Sequence, residues 1–205
     1  MRWIIGIDEV GRGALAGPVV VAAAMVAVDG NGYSLHIPFR KLKDSKKLSP
    51  AQREQWQNYF AHNPYVRFAL ARVYPRGIER LNISAAANLA ALRAFSRLLK
   101  ANKLPSNTPV FLDGGLYLGS KAQQPSSATT VIKADEKIPA VAAASIVAKV
   151  SRDRFMVRLA KKHPGYGFDV HKGYGTTAHF SAIEKNGRCD AHRLTFLRKP
   201  SNMNR

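Results

Sequence analysis

The sequence predicts a mixed α/β sheet. Three short apolar, β-branched runs come early, and two more alternate with helical stretches. Acidic residues follow those runs beside glycine turns, at Asp8, Glu9, Asp113 and Asp135. That pattern places a site along one edge of the sheet. The chain has 205 residues, which suits one large domain or one domain with a small appendage, and 46% of them are hydrophobic, enough for a real core.

The elements follow in order. Ile4-Ile5-Gly6-Ile7 is short, β-branched and punctuated by glycine, as a buried strand is. Residues 3–8 and 19–28 are two predicted strands joined by Gly11-Arg12-Gly13 and Gly17-Pro18. Their nearness in sequence favours an antiparallel pair. Asp29-Gly30-Asn31-Gly32 signals a turn, and Lys41 to Leu48 a basic loop. Ser49 is placed to cap a helix with Pro50 at its first position, running to about Ala61 and stopped by Asn63-Pro64. Arg67 to Tyr74 is a third strand. Ser84 to Lys100 is amphipathic, with Leu89, Leu92, Phe95 and Leu99 expected to face the core.

Val110-Phe111-Leu112-Asp113-Gly114-Gly115 repeats the opening pattern of apolar strand, acid and glycine turn. Thr129 to Ile132 is the fifth strand. Pro139 opens a long helix to about Lys162 whose first half is small and apolar. Its second half sets Arg154, Arg158 and Lys161 or Lys162 on one stripe. Pro164-Gly165 ends it. A glycine- and aromatic-rich basic tail follows, carrying Tyr166, Phe168, His171, Lys172, Tyr174 and His192-Arg193.

Charge narrows the function. The formal net charge is +19, from 32 basic and 13 acidic residues, which makes a polyanion the default partner. Residues 149–205 hold 13 basic residues against 4 acidic ones, the densest such stretch. An anionic membrane surface fits less well, because no basic amphipathic helix stands alone. The single Cys189 excludes a disulfide framework and a multi-cysteine zinc site. A reducing, cytoplasmic compartment is expected, with no signal peptide and no run of transmembrane length.

With acids so scarce, those beside strands stand out. An unpaired buried carboxylate is costly, two adjacent ones repel, and a bound hard cation relieves both. The plainer reading is that Asp8 and Glu9 end a strand and cap a turn. Neighbours on a regular strand point to opposite faces. Both can serve one ion only if the strand ends or bulges there; otherwise Glu9 serves a second ion. Lys46 and Lys149 suit either a solvated face or a phosphate contact. Arg12 also suits a bracing role in its turn, and Tyr174 a packed loop aromatic. His171 and His192 read as structural or phosphate-contacting groups rather than metal ligands.

Several strings resemble a known family. They are Gly6-Ile7-Asp8-Glu9-Val10-Gly11-Arg12-Gly13-Ala14-Leu15-Ala16-Gly17-Pro18, Asp44-Ser45-Lys46-Lys47-Leu48, Leu112-Asp113-Gly114, Lys133-Ala134-Asp135, Ala142-Ala143-Ala144-Ser145-Ile146-Val147-Ala148-Lys149-Val150, His171-Lys172-Gly173-Tyr174-Gly175-Thr176 and His192-Arg193. In this order they resemble ribonuclease HII, the bacterial type 2 ribonuclease H. The resemblance implies a ribonuclease-H-like fold, a five-stranded mixed sheet flanked by helices. It implies a catalytic domain over 1–163 and a basic C-terminal segment, 164–205, packed on the same domain and completing the substrate site.

It also implies hydrolysis of RNA in RNA–DNA hybrids, and cutting 5′ of single ribonucleotides in duplex DNA, a step of ribonucleotide excision repair. Mn²⁺ or Mg²⁺ would be the cofactor, and Asp8, Glu9, Asp113 and Asp135 the metal-holding catalytic set. Gly11, Arg12 and Gly13 would read the ribose 2′-OH, and Tyr174 would stack at the RNA–DNA junction. Lys46, Lys149 and Lys172 are further substrate-binding candidates, and a monomer is expected. Val10 stands where Ala is commoner in the family, and Leu81 to Ala86 keeps its pattern only in part. Two rivals are a same-fold nuclease acting on DNA alone and a non-catalytic nucleic-acid binder.

Overall fold

The computed structural model describes residues 2–29, 42, 48–105 and 107–197. Strands β1 (Arg2–Val10), β2 (Val19–Val28), β3 (Val66–Val73), β4 (Val110–Asp113) and β5 (Ala128–Val131) form one sheet in the order β3-β2-β1-β4-β5. The β1–β2 pair is antiparallel, as expected, from Arg2↔Val28 to Val10↔Val20. β3 is antiparallel to β2, whereas β4 joins β1 and β5 joins β4 in parallel. The sheet is therefore mixed and five-stranded. The turn expected at 29–32 and the basic loop at 41–48 fall largely outside the described residues.

Helices α1 (Pro50–His62), α2 (Pro75–Leu81), α3 (Ile83–Ala101) and α4 (Pro139–Lys162) surround the sheet. Ser49 caps α1 in a full capping box with Gln52, and Pro50 fills the first turn. One face of the sheet packs on α3, where Ile5, Ile7, Val21 and Ala23 meet Ala87, Ala91 and Leu98. The other packs on α4, where Ala22, Ala24 and Val26 meet Ala140, Ala143 and Val147. All ten residues of β2 are buried, as suits a strand covered on both faces.

Small residues let α4 come close. A Cβ on Gly6 would lie 2.1 Å from the Val141 backbone nitrogen, so β1 and the start of α4 touch backbone to backbone. The same principle corrects the expected face of α3. Ala86, Ala87, Ala90, Ala91, Ala94 and Leu98 point inward. Leu92 and Leu99 are exposed, and Leu89 and Phe95 only partly buried. The large-residue stripe is legible, but close helix–sheet approach selects the alanine face beside it.

The basic tail contains more structure than its composition suggests. It forms α5 (Phe168–His171) and α6 (Thr177–Asn186), then a 3₁₀ turn at Leu194–Leu197. The Thr176 side chain caps α6 by accepting from the His179 N–H. Tyr166, Phe168 and Ala191 pack on Ala16 and Met156, and His192 bridges to Ala16. The helix α2 has no periodic stripe of its own; Pro75 at its first turn is the visible start signal.

Candidate active site

β4 stops at Asp113, and its last pairing with β1 before that is Ile7↔Leu112. β1 runs on to Val10, so Asp8 and Glu9 overhang the end of a parallel pair. A cavity of about 370 Å³ opens there, lined by Asp8, Glu9, Asp113, Asp135, Ser145, Lys149, Arg53 and Tyr174 among others. Parallel-sheet folds place their sites outside the carboxyl ends of the strands in this way.

The overhang also resolves the two-face geometry of Asp8 and Glu9. The strand stays regular through both, with Asp8↔Ala22 and Glu9↔Val21. Asp8 lies on the α4 face, where the Ser145 hydroxyl bonds it and the Glu9 N–H donates to its Oδ1 at 2.8 Å. Glu9 lies on the α3 face, its Oε1 3.4 Å from Arg12 Nη1. Both reach the cavity because no neighbouring strand among the described residues covers that edge. Asp113 accepts from the Ala134 N–H at 2.8 Å. Asp135 sits in a 3₁₀ turn, Ala134–Glu136, just before α4, and not directly at the end of β5. It is 2% exposed.

The electrostatics show closely set carboxyls whose charged forms are disfavoured by burial and mutual repulsion. Burial, then Glu9 and Asp113, push the Asp8 carboxyl well above its ordinary value despite the Ser145 bond. Burial also raises Glu9, with Arg12 opposing it. Glu9 Oε2 is buried and has no hydrogen-bond partner among the described residues. An all-oxygen donor set of this kind fits a hard divalent cation such as Mg²⁺ or Mn²⁺.

Two buried arginines that the sequence does not single out for this role shape the neighbouring turn. Arg152, fully buried, donates to the carbonyls of Pro18 at 3.0 Å, Ala16 at 3.0 Å and Lys172 at 2.9 Å. Arg193, also fully buried, donates to Gly17 O at 3.0 Å and Arg12 O at 2.9 Å. Burial lowers both guanidinium pKa values, that of Arg193 to about 9. These forks fasten the Gly11–Pro18 segment to α4 and the tail. Gly11 has φ +86°, and a Cβ there would lie 2.1 Å from Arg152 Nε. Arg152 can lie where it does only because that Cα is bare. Gly13 is exposed, and a Cβ added there would meet nothing within 4 Å, so its backbone is open to a ligand.

The remaining expected residues divide. Tyr174 lines the cavity, its ring centroid 5.2 Å from Arg152 Cζ and 6.0 Å from Lys149 Nζ. Lys149 lines it too, while pairing with Asp153 at 2.9 Å. Arg12 reaches from Glu9 to the Ser84 hydroxyl, 2.9 Å from Nη2. Lys172 does not line the cavity; its Nζ donates to Asp169 O. Lys46 lies outside the described residues. Ser145 and Arg53 join the site without having been expected there. Ser145 sits within a family-like string, but its role depends on α4 packing against β1; Arg53 carries no signal beyond a helix-face charge.

A five-stranded mixed sheet with helices on both faces and carboxylates gathered at one edge defines a protein of the ribonuclease H fold. Solved structures agree. The ribonuclease HII of Archaeoglobus fulgidus, in a complex with PCNA, aligns with TM-score 0.68 and 26% identity, covering 97% of both chains. The ribonuclease H2 of Pyrococcus horikoshii gives 0.66 at 24% identity, over 94% of this chain and 93% of that one. Bst-RNase HIII in complex with Mn²⁺ gives 0.76 at 24% identity, over 96% of this chain and 67% of that one. The family model for ribonuclease HII matches residues 5–200. The ribonuclease HII of Bacillus thuringiensis (strain Al Hakam) is 42% identical over 196 residues, 96% of this chain and 69% of its own length. The chain belongs to the ribonuclease HII family.

Proposed function

We propose that this protein hydrolyses the RNA strand of RNA–DNA hybrids and cuts 5′ of single ribonucleotides embedded in duplex DNA. The products would carry 5′-phosphate and 3′-OH ends. The observation that carries the reading is one cavity lined by four carboxylates within a chain of net charge +19. The family membership and the Mn²⁺ complex of Bst-RNase HIII support it.

Asp8, Glu9, Asp113 and Asp135 would hold Mn²⁺ or Mg²⁺. Bound there, two such ions would activate a water and neutralise charge on the attacking and leaving oxygens. The protein's own groups keep the donors in place. Ser145 and the Glu9 N–H orient Asp8, the Ala134 N–H orients Asp113, and Arg12 restrains Glu9. Lys149 and Arg53, on the cavity wall, suit the scissile and neighbouring phosphates. Lys172 would contact the strand outside the cavity, and Lys46 remains a substrate-binding candidate by the family resemblance alone.

The turn Gly11-Arg12-Gly13 would read the 2′-OH, with Gly13 leaving its backbone open to the ribose. Tyr174 would stack on the sugar that follows. In this reading the 164–205 segment completes the substrate site on the 1–163 domain by supplying Tyr174. A monomer acting in the cytoplasm on ribonucleotides left in DNA is part of the same proposal. A cleavage panel tests it: continuous hybrid, single-ribonucleotide duplex and all-DNA duplex, each with Mg²⁺, Mn²⁺ or chelator. Cutting of the first two alone, abolished by chelator, is expected. Cutting of all-DNA duplex, or no chelator effect, would overturn the proposal.

A further inference from the structure

A second cluster of ligand-type side chains lies away from the carboxylates. His163, the residue that ends α4, meets the 188–193 loop. Its Nε2 is 3.3 Å from Asp190 Oδ1. Cys189 Sγ joins them, and the three ligand atoms all lie within 4.8 Å of one another. The thiol is also 3.2 Å from His192 Nδ1. These groups stand on the wall of a cavity of about 670 Å³, shared with Pro18, Phe155 and Leu159.

We propose that His163, Cys189 and Asp190 form a site for a borderline-to-soft divalent transition ion of the Zn²⁺ class. The donor set carries the choice. A thiolate with an imidazole and a carboxylate suits Zn²⁺ and disfavours Mg²⁺. Ligands about 2.0–2.3 Å from a tetrahedral ion lie roughly 3.3–3.8 Å apart, so His163 and Asp190 already stand at that spacing. The thiol needs a shift of about an ångström at most. Three protein ligands would leave a fourth position for water.

The position gives the ion a consequence. It would tie the end of α4 to the loop that leads into His192 and Arg193. Arg193 holds the carbonyl of Arg12 at 2.9 Å, and Ala191 O accepts from the Gly17 N–H at 2.8 Å. An ion here would steady the Gly-Arg-Gly turn from behind, without entering the carboxylate cavity. His192 is not assigned to the ion, because its Nδ1 accepts from the Cys189 N–H at 3.0 Å and its Nε2 lies 3.2 Å from His179 Nε2.

Titration of the full-length chain with Co²⁺ tests the proposal. One equivalent should give thiolate-to-cobalt charge-transfer absorbance and the strong visible bands of a tetrahedral ion. Zn²⁺ should bleach both. Cys189→Ser should abolish the charge-transfer band, and His163→Ala should weaken Co²⁺ binding at least tenfold. Asp8→Asn should leave the spectrum unchanged, which separates this site from the carboxylate cavity whether or not that cavity performs hydrolysis. Zn²⁺ at a hundredfold excess over its Kd should raise the melting temperature by about 5–10 °C. Circular dichroism melts of both variants confirm that they fold. Absence of thiolate absorbance at stoichiometric Co²⁺ overturns the site, as does an unchanged spectrum in Cys189→Ser.

Discussion

Gly11 and Gly13 flank the same arginine, yet replacing each with Ala should have opposite consequences. At Gly11 the backbone is left-handed, and a side chain there costs about 1–2 kcal/mol. The added methyl would also lie 2.1 Å from Nε, 2.7 Å from Cδ and 2.8 Å from Cζ of Arg152. That side chain is fully buried and fastened to three carbonyls, so it cannot swing aside freely. Breaking one bond from a charged donor adds roughly 1.5–3 kcal/mol. Gly11→Ala should therefore lose roughly 2.5–5 kcal/mol, a fall in melting temperature of about 5–20 °C for a chain of this size. Gly13→Ala meets nothing within 4 Å and should change stability by less than about 0.5 kcal/mol. Urea titration and thermal melts of both variants read the difference directly. If Gly11→Ala melts within about 2 °C of the wild type, less than 1 kcal/mol has been lost and Arg152 is not the clamp described. Gly13→Ala should fold normally and still cleave a ribonucleotide-containing duplex more slowly, because its methyl fills the space left for the ribose.

Asp8→Asn should stabilise the metal-free protein by about 1 kcal/mol, since it removes a buried, repelled charge. Burial raises the folded-state pKa of Asp8, so wild-type stability falls as pH rises from the ordinary carboxylate range through the raised value. Melts across that window should show the variant's advantage growing with pH; a constant gap would mean Asp8 carries no such strain. Hybrid binding, followed by fluorescence anisotropy without divalent ions, should weaken with salt at a log–log slope of several units. A flat dependence would mean that the +19 charge serves another ligand. Tyr174→Ala should slow cleavage at a single ribonucleotide by roughly ten- to hundred-fold, from a contact of ~1–3 kcal/mol, and slow a continuous hybrid less. Equal losses on both substrates would make Tyr174 a scaffold residue.

The strand-end acids are legible in the sequence because the chain is so poor in acid and because each follows a short apolar run. Their convergence is not. It depends on β1 running to Val10, past its last pairing with β4 at Ile7, a register that no local pattern encodes. The antiparallel β1–β2 pair and the start of α1 at Ser49-Pro50 are readable from spacing and cap residues alone. The core face of α3 differs from the expected one because hydrophobicity favours leucines, whereas close packing against β2 favours alanines. Arg152 and Arg193 look like ordinary basic residues in a basic stretch. Only the fold reveals that each is buried against carbonyls from the opposite end of the chain, more than 130 residues away in sequence.

Asp113→Asn gives the most direct test of the central claim that the carboxylate cavity performs the hydrolysis. Single-turnover cleavage of a single-ribonucleotide duplex would be measured with Mn²⁺ beside equilibrium binding of the same duplex. Asp113 is held by the Ala134 N–H and an Asn oxygen can still accept that bond, so the fold and the basic surface should persist. The variant should bind the duplex within a few-fold of wild type and cleave it at least about a thousandfold more slowly, the scale on which losing a charged ligand removes transition-state stabilisation. Cleavage at the wild-type rate would contradict the account.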